Sequence, residues 1–336
     1  MIEGHGDDLW RYGGKIKHNF STNIHSAFDH SPLMERLGKC LGAVVSYPEP
    51  EPQRVERKIA GMNGLKASEV MVTNGATEAI YEIAGIFSGR SSSIMSPTFR
   101  EYQDACSMYG HEITFFDTIT NLPSTSDLVW ICNPNNPTGL TIDREELLET
   151  IHRNSDKIFI IDQAYSDYTL KETLSYKDAV SNRNVIILGS LTKRFAVPGL
   201  RIGYAIGCEE IIAQFKRRRM PWSVGGLSIE GALYLLQNID RYQIDATTMH
   251  NEALRIKREF ENLGITVTSS DCNFILCKLP EGTSAELKDY LAETAGILIR
   301  DASNFEGLGP RHFRIAAQSA EENNLLINEI KKWLNI

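Results

Sequence analysis

Residues 128–162 read LVWICNPNNPTGLTIDREELLETIHRNSDKIFIID, and this stretch decides the fold. The runs at 128–132 and 158–161 are short and apolar, as strands covered on both faces are. The segment between them is long enough for a crossover helix, and residues 143–154 open with an acidic first turn that suits a helix N-terminus. A strand, a helix and a second strand in this order predict neighbouring parallel strands.

Similar apolar runs flank this unit on both sides. They lie at 70–73, 92–95, 113–116, 185–188 and 202–206. The segments between them are mostly long enough for helices, for example residues 77–87. The sequence therefore predicts an α/β domain with a mostly parallel sheet of about seven strands, covered by helices.

From about residue 226 the pattern changes to a smaller α+β arrangement. The predicted elements are helices at 239–263 and 284–294 and strands at 266–268, 273–277, 297–300 and 312–316. Ser319 and Glu322 form a capping-box pattern that opens a last helix. We expect a large domain at 31–225 and a small domain built from 1–30, as an N-terminal arm, and 226–336.

The charge balance limits the classes of partner. The 336 residues include 35 lysines and arginines against 43 aspartates and glutamates, a net charge of −8. This argues against a nucleic-acid or anionic-membrane surface, which needs a basic field. The chain has no apolar run near the ~18 residues of a membrane span, and its start does not resemble a signal peptide. We expect a cytoplasmic protein, and the net charge still permits a small basic pocket inside an acidic shell.

Metal and nucleotide motifs are missing from the sequence. The six cysteines include no C-x-x-C pair, and the eight histidines show no ligand spacing. We expect free thiols in a reducing compartment and no metal site. Neither G-x-G-x-x-G nor a Walker loop occurs, which argues against a nucleotide-dependent dehydrogenase.

Two loops after predicted strands are candidates for ligand binding, because ligands of open α/β sheets bind at the carboxyl ends of the strands. The sequence NGATE at 74–78 feeds a helix N-terminus, whose backbone N–H groups suit a phosphate. The sequence NPNNPTG at 133–139 makes a stiff, sharply turned loop with side-chain amides available to a ligand.

Three reactive side chains follow the next two strands. Asp162 ends an apolar strand, where a carboxylate costs desolvation unless it meets a cation or a donor, and Tyr165 follows it. Lys193, in the segment GSLTK, lies between a buried strand and the apolar run that starts at Phe195. Partial burial would lower the pKa of this lysine and suit it to covalent chemistry with a carbonyl.

These segments together supply a phosphate cradle, an acid, a phenol, an amide and a lysine at neighbouring strand ends. Pyridoxal 5'-phosphate (PLP) needs this set: an amine for its aldehyde, an acid that keeps its pyridine nitrogen protonated, and donors for its phosphate. The combination is far more specific than any one part, and it predicts a PLP site.

The chain resembles the fold type I PLP enzymes of the class I and II aminotransferase family over essentially its full length. The matching segments are those at 74–78, 133–139, 162–165, 190–193 and 201–204. The resemblance implies an aspartate-aminotransferase-like fold, PLP as cofactor and a role for each matching residue.

By this resemblance, Lys193, Asp162 and Tyr165 are the catalytic residues. Lys193 would bind the cofactor aldehyde, Asp162 would pair with the pyridinium nitrogen, and Tyr102 would stack on the ring. Asn136 and Tyr165 would bond the phenolic oxygen of the ring. The residues implied to hold the phosphate are Ala76, Thr77, Ser190, Thr192 and Arg201.

The resemblance also implies a homodimer with shared active sites. Tyr47 matches a position that in this family reaches the phosphate of the neighbouring subunit's cofactor. Two groups of enzymes within the family imply different substrates for this chain. Histidinol-phosphate aminotransferases share Arg300 and Arg314, which would bind a substrate phosphate and a substrate carboxylate respectively.

Other segments are more similar to threonine-phosphate decarboxylases of cobalamin synthesis, at 5–6, 20–24, 220–224 and 299–308. His5 would then bind substrate phosphate, and Asn23 would help Arg314 to hold the carboxylate. Those enzymes have HGGN where this chain has HGDD, so that Asp7 adds negative charge near the phosphate pocket.

The resemblance therefore implies PLP-dependent decarboxylation of an O-phosphorylated amino acid, foremost L-threonine O-3-phosphate to 1-aminopropan-2-ol phosphate. The alternative is an aminotransferase that acts on histidinol phosphate. A PLP-binding regulator would need a DNA-binding module, and the chain has neither spare length nor a basic helix-turn-helix pattern. We also expect Trp222 to pack in the core, with substrate contact as the alternative. Lys216 to Arg219 are expected to be the solvated end of a helix, from which one arginine can turn inward.

Overall fold

The structure, a computed structural model, describes residues 7–25 and 27–336, so the prediction for His5 lies outside the described residues. The described strands are β1 (His18–Asn19), β2 (Val70–Thr73), β3 (Ser91–Met95), β4 (Glu112–Phe116), β5 (Leu128–Cys132), β6 (Ile158–Asp162), β7 (Val185–Ser190), β8 (Gly203–Gly207), β9 (Thr266–Val267), β10 (Phe274–Lys278), β11 (Ile297–Leu298), β12 (Arg300–Asp301) and β13 (His312–Ala316). The described helices are α1 (Ser31–Lys39), α2 (Gln53–Asn63), α3 (Ala76–Ile86), α4 (Glu101–Met108), α5 (Arg144–Arg153), α6 (Tyr176–Ser181), α7 (Leu191–Arg194), α8 (Glu209–Arg218), α9 (Gly226–Gln237), α10 (Ala246–Asn262), α11 (Ser284–Ala295) and α12 (Ala320–Trp333).

The seven apolar runs form one sheet in the order β2-β8-β7-β6-β5-β3-β4, and the predicted α/β fold is confirmed. All neighbours are parallel except β8, which is antiparallel to both β2 and β7. The segment between β7 and β8 holds only the four-residue α7 and one 3₁₀ turn, so the chain turns back without a full crossover.

Both faces of this sheet are covered by side chains, as the apolar runs predict. In β7, Val185 and Ile187 pack into one buried cluster, whereas Ile186 and Leu188 pack into a second cluster. Alternation along a strand sends successive side chains to opposite faces, so the two clusters lie on the two sides of the sheet.

The last third of the chain forms a four-stranded antiparallel sheet in the order β12-β13-β10-β9. The N-terminal arm joins this region, because β1 pairs in parallel with β11 and the fully buried Phe20 packs into its core. The capping box of Ser319 and Glu322 opens α12 as predicted. The boundaries of the two domains stay a prediction.

Two predicted elements of this third are wrong in detail. The helix predicted at 239–263 is interrupted: a 3₁₀ turn covers Ile239–Arg241, and α10 starts only after Asp245, whose side chain accepts from the Thr248 N–H. The strand predicted at 297–300 divides into β11 and β12, which belong to different sheets.

The sequence predicts no membrane span, no metal site and no disulfide, and the structure can be compared with these predictions for the described residues only. No described helix is long and apolar enough to cross a membrane. The described residues include no group of three or more His, Cys, Asp or Glu side chains placed to hold a metal ion. All six cysteines carry free thiols, five of them buried.

Candidate active site

A cavity of about 310 Å³ opens at the carboxyl ends of β5, β6 and β7. Cys132, Asp162 and Ser190 are the last residues of these strands, and all three line the cavity. The parallel arrangement of β5, β6 and β7 brings residues that are far apart in sequence to one edge of the sheet. The four-stranded sheet adds Arg300, from β12, and Arg314, from β13, to the lining of the cavity.

Lys193 projects into this cavity from α7, directly after β7. Its Nζ donates to the carbonyl oxygen of Thr22 over 2.9 Å and lies 5.8 Å from the centre of the Tyr165 ring. Burial, and next the positive charge of Arg314, lower the pKa of Lys193 to about 8. Near neutral pH a minor fraction of the amine is therefore neutral, and thus nucleophilic, which is far more than for an ordinary lysine.

Asp162 ends β6 and is buried beside Lys193. Its Oδ2 accepts from the Tyr102 hydroxyl at 2.7 Å, and its Oδ1 accepts from the Ala164 N–H at 2.9 Å. Burial raises the pKa of Asp162, while these hydrogen bonds and the charge of Lys193 oppose that rise. Both oxygens of this carboxylate therefore accept hydrogen bonds from the protein.

The NPNNPTG loop presents one amide to the cavity and uses the others to hold itself. Asn136 lines the cavity, and its Oδ1 accepts from the Arg314 guanidinium. Asn133 Oδ1 accepts from the Ile142 N–H at 2.7 Å, and Asn135 Nδ2 donates to the Pro97 carbonyl at 2.9 Å. Of the loop amides predicted to be available to a ligand, only that of Asn136 lines the cavity.

Arg314, on β13, links this loop to the N-terminal arm. Besides Asn136, its guanidinium donates to the Ser21 carbonyl, and burial lowers the pKa of Arg314 to about 10. Its Nε is buried and has no hydrogen-bond partner among the described residues. Such a donor calls for an acceptor, and the planar guanidinium suits a carboxylate.

The residues predicted to hold a phosphate surround the start of α3. Ala76 and Thr77 open this helix after Gly75, which has a φ of 81°. A Cβ at Gly75 would lie 2.6 Å from Nη2 of Arg201, and one at Gly203 would lie 2.3 Å from the Ala76 nitrogen. Both glycines are needed for this close approach of backbone and guanidinium. The predicted residues that line the cavity here are Ala76, Thr77, Ser190, Thr192 and Arg201.

Arg300 lies in β12 and faces the cavity beside Phe305. Its Nη2 donates to Asn304 Oδ1 at 2.9 Å, and its guanidinium carbon lies 5.2 Å from the centre of the Phe305 ring. Burial, and next the charge of Arg314, lower the pKa of Arg300 to about 10. Two guanidiniums thus share one cavity wall, so the site favours a ligand with two anionic groups.

Tyr165 and Asn23 meet beside Arg314. Burial raises the pKa of the Tyr165 phenol, and the positive charge of Arg314 opposes that rise. Asn23 is fully buried with a φ of 53°, and it lies behind the cavity wall rather than in it. The side-chain oxygen and nitrogen of Asn23 are buried and have no hydrogen-bond partner among the described residues.

Tyr47 and Trp222 lie away from the cavity of their own chain. Tyr47 is 84% exposed, Trp222 is 48% exposed, and their ring centres are 5.3 Å apart. The prediction that Trp222 packs in the core is wrong for the chain described here. The residue has a φ of 63° in a surface turn, which keeps its ring outside.

The basic cluster at the end of α8 is only partly solvated. Arg217 and Arg218 are exposed, but Lys216 and Arg219 both donate to the buried Glu56, at 2.8 Å and 2.5 Å. The prediction of a solvated helix end is therefore wrong for Lys216, and Arg219 is the arginine that turns inward.

Several cavity residues were not identified as site residues from the sequence. Asp7 lines the cavity and accepts from Asn19 Nδ2 at 2.6 Å; its HGDD context was the available signal. Arg100, two residues before Tyr102, and Asn304, within the segment 299–308, also line the cavity, although neither is among the predicted site residues. Thr22 contacts Lys193 through its backbone carbonyl, for which a sequence carries no signal.

The comparisons with known proteins agree with this geometry. A family model for aminotransferases of class I and II matches residues 41–330. The chain belongs to this family. Members of the class I and II aminotransferase family are PLP-dependent, and PLP is the cofactor of this chain.

Relatives with two activities resemble this aminotransferase-family chain. It is 30% identical over 333 residues to threonine-phosphate decarboxylase of Salmonella typhimurium, covering 94% of this chain and 91% of the relative. It is 30% identical to histidinol-phosphate aminotransferase of Caldanaerobacter subterraneus, covering 90% of each chain. The crystal structure of L-threonine-O-3-phosphate decarboxylase from Porphyromonas gingivalis superposes with a TM-score of 0.93 at 34% identity, covering 95% of this chain and 100% of that one.

The residues at the cavity fit PLP on three grounds. A buried lysine with a pKa of about 8 can supply the amine, and a buried carboxylate lies beside it. The helix N-terminus at Ala76, with Arg201 close to Gly75, offers donors to a phosphate. This donor set contains each type of group that the cofactor needs.

Proposed function

We propose that the protein decarboxylates L-threonine O-3-phosphate to 1-aminopropan-2-ol phosphate and CO₂. The observation that carries this proposal is the likeness to the decarboxylase from Porphyromonas gingivalis, which extends over the whole of that chain. The cavity supports it, because Arg300 and Arg314 provide two cations for a substrate with a carboxylate and a phosphate.

In this proposal the residues at the strand ends hold PLP. Asp162 pairs with the ring nitrogen, Tyr165 and Asn136 lie at the phenolic oxygen, Tyr102 stacks on the ring, and Lys193 binds the aldehyde. The phosphate lies among Ala76, Thr77, Ser190, Thr192 and Arg201. When bound, PLP supplies a ring that accepts the electron pair released at the substrate's Cα.

The substrate is held by the arginines of the small domain. Arg314 binds the α-carboxylate, using the Nε that has no partner among the described residues, and Arg300 binds the phosphate. The bond between Cα and the carboxylate breaks, and CO₂ leaves. Lys193 Nζ then returns a proton to Cα, which a lysine with a pKa of about 8 can do near neutral pH.

The position of Arg314 decides between decarboxylation and transamination. The residue that holds the carboxylate would select the reaction, because cleavage is favoured for the Cα bond that is aligned with the π-system of bound PLP. Arg314 is itself held by Asn136 and by the Ser21 carbonyl. These contacts leave the guanidinium little freedom to turn.

Transamination of histidinol phosphate is the second candidate function. The observation in its favour is the 90% coverage and equal identity of the aminotransferase from Caldanaerobacter subterraneus. The same two arginines would bind the phosphate of that substrate and the carboxylate of glutamate. The two candidates therefore share the site and differ in the fate of the bonds at Cα.

We further propose that the protein is a homodimer in which Tyr47 reaches the partner's cofactor phosphate. An exposed apolar patch surrounds this residue, and its members are Leu41, Val44, Val45, Tyr47, Met220 and Trp222. Contiguous exposed apolar side chains of this kind are typical of protein–protein interfaces. Equilibrium sedimentation should give twice the chain mass, and Val45→Glu should shift the protein toward monomer.

A purified-enzyme assay tests the proposed reaction. We expect CO₂ release from L-threonine O-3-phosphate without formation of a keto acid or consumption of an amino acceptor. Glutamate-dependent amination of imidazole-acetol phosphate, with no CO₂ release, would establish the second candidate instead. Lys193→Ala is the matched control, because both reactions need this amine.

A further inference from the structure

The hydroxyl of Tyr102 contacts the carboxylate of Asp162 inside the fold. The two oxygens are 2.7 Å apart, and Tyr102 is only 1% exposed. Its ring is held between Phe99, at 5.8 Å in an edge-on arrangement, and Trp130, at 5.7 Å in a stacked one. The tyrosine therefore has two separable parts: a ring that packs and a hydroxyl that binds Asp162.

Asp162 needs donors, because its surroundings disfavour a charge. Burial is the largest influence on its pKa and raises it; the Tyr102 hydrogen bond is the largest influence in the other direction, followed by the Ala164 N–H and then the charge of Lys193. Cys132 and Tyr165 also face this carboxylate, but burial raises the pKa of both groups, so they stay neutral.

We propose that the Tyr102 hydroxyl is a positioning group that keeps Asp162 ionised and oriented toward the cofactor's ring nitrogen. This inference rests on the proposed placement of that nitrogen against Asp162. The hydroxyl occupies Oδ2 while the Ala164 N–H occupies Oδ1, so the plane of the carboxylate is set from both sides. A second lone pair on each oxygen stays available to the ring N–H.

Tyr102→Phe separates the hydroxyl from the ring. Phenylalanine keeps the aromatic face that packs on Trp130 and removes only the donor. Asp162 Oδ2 then lies buried without this partner, which favours the protonated acid. The neutral acid loses the charge-assisted pair with a protonated ring nitrogen and accepts only a weaker hydrogen bond, so cofactor affinity should fall first at low pH.

The experiment measures the dissociation constant of pyridoxine 5'-phosphate by equilibrium dialysis between pH 5 and 9, for both proteins freed of cofactor. This probe lacks the aldehyde, so the titration of Lys193 as a covalent partner does not enter. Its own titration is common to both proteins. At low pH the affinity falls as Asp162 becomes protonated, and we call this part of the pH profile the acid limb. We expect the acid limb to move up by roughly one pH unit in Tyr102→Phe, which means a tenfold weaker affinity at a fixed pH on that limb.

Two further variants make the result unambiguous. Tyr176→Phe removes another buried hydroxyl, which lies 2.6 Å from the Tyr204 hydroxyl, and should leave the acid limb where it is. Asp162→Asn should abolish the limb. If Asp162→Asn keeps the wild-type profile, the proposed placement of the cofactor is wrong.

If Asp162→Asn abolishes the limb but Tyr102→Phe does not move it, the role of the hydroxyl is refuted while the cofactor site stands. A loss of affinity in Tyr102→Phe that is equal at every pH also refutes it, because that result reports packing alone. Neither outcome depends on which substrate the enzyme uses.

Discussion

The Nζ atom of Lys193 lies 2.9 Å from the carbonyl oxygen of Thr22. Lys193 follows the strand β7 of the large sheet, whereas Thr22 belongs to the N-terminal arm that pairs with β11. The same arm supplies the Ser21 carbonyl to Arg314. Two cations of the cavity are thus held by adjacent backbone carbonyls of one short segment, which accept hydrogen bonds at any pH.

The pH dependence of cofactor uptake should report the titration of Lys193. Its pKa is about 8, and only the neutral amine attacks an aldehyde, so the rate of PLP uptake should rise with pH through about 8. Arg314 lowers this pKa, so Arg314→Gln should raise it and move the midpoint to higher pH. Stopped-flow absorbance measures the rate. Arg258→Gln, in the distant α10, is the control; an unmoved midpoint in Arg314→Gln would contradict the coupling.

Asp7 should oppose Arg314 in its effect on Lys193. The carboxylate of Asp7 lies at the cavity and raises the pKa of Lys193. Asp7→Asn should therefore lower that pKa and move the midpoint of PLP uptake to lower pH. The variant should also bind phosphorylated ligands more tightly, since one like charge is gone. Asp7→Glu keeps the charge and is the matched comparison, and equal behaviour of the two variants would exclude an electrostatic cause.

Arg300→Gln should distinguish a phosphate contact from a general loss of binding. Removal of a charge-assisted hydrogen bond should weaken binding of L-threonine O-3-phosphate roughly ten- to hundredfold. Binding of L-threonine, which lacks the phosphate, should change little. Calorimetric titration of both ligands gives the comparison. A similar loss for both ligands would mean that Arg300 acts on the cavity as a whole.

The buried carboxylate of Glu56 should be important for stability rather than for catalysis. It is 2% exposed and accepts from Lys216, from Arg219 and from the Val72 N–H. Glu56→Ala would leave two cations without their partner, which should cost about 3–5 kcal/mol in free energy of unfolding. Denaturant titration measures this change. Glu209→Gln removes the exposed pair with Lys66 and should change the midpoint of the denaturant titration far less.

Most of the large sheet could be predicted from its sequence because its strands are apolar on both faces. The pattern places β5 at the residues observed and β7 to within two residues at its end. An apolar run does not encode whether its strand is parallel or antiparallel to its neighbours, so the pattern does not predict that β8 is antiparallel. The apolar pattern predicts too early a start for α10, because apolar residues continue through the 3₁₀ turn. Asp245, the N-cap residue of α10, is the sequence signal for its true start.

A similar physical reason separates the site residues that the sequence predicts from those that it does not. Those that follow strands, such as Asp162 and Lys193, meet at the cavity because parallel strands end at one edge. Asp7 and Arg100 reach it through tertiary folding that no local pattern records. The carbonyl of Thr22 could not be inferred at all, since every residue carries the same backbone group.

The parallel pairing of β1 with β11 has a consequence for biosynthesis. His18 leaves the ribosome early, but its partner Ile297 is synthesised almost 280 residues later. The large sheet can therefore form on a nascent chain that still lacks Arg300, Arg314 and a seat for the arm. Lys193 gains its contact with Thr22 only when the arm is captured, so a nascent or C-terminally truncated chain should load its cofactor poorly even though its main sheet is whole.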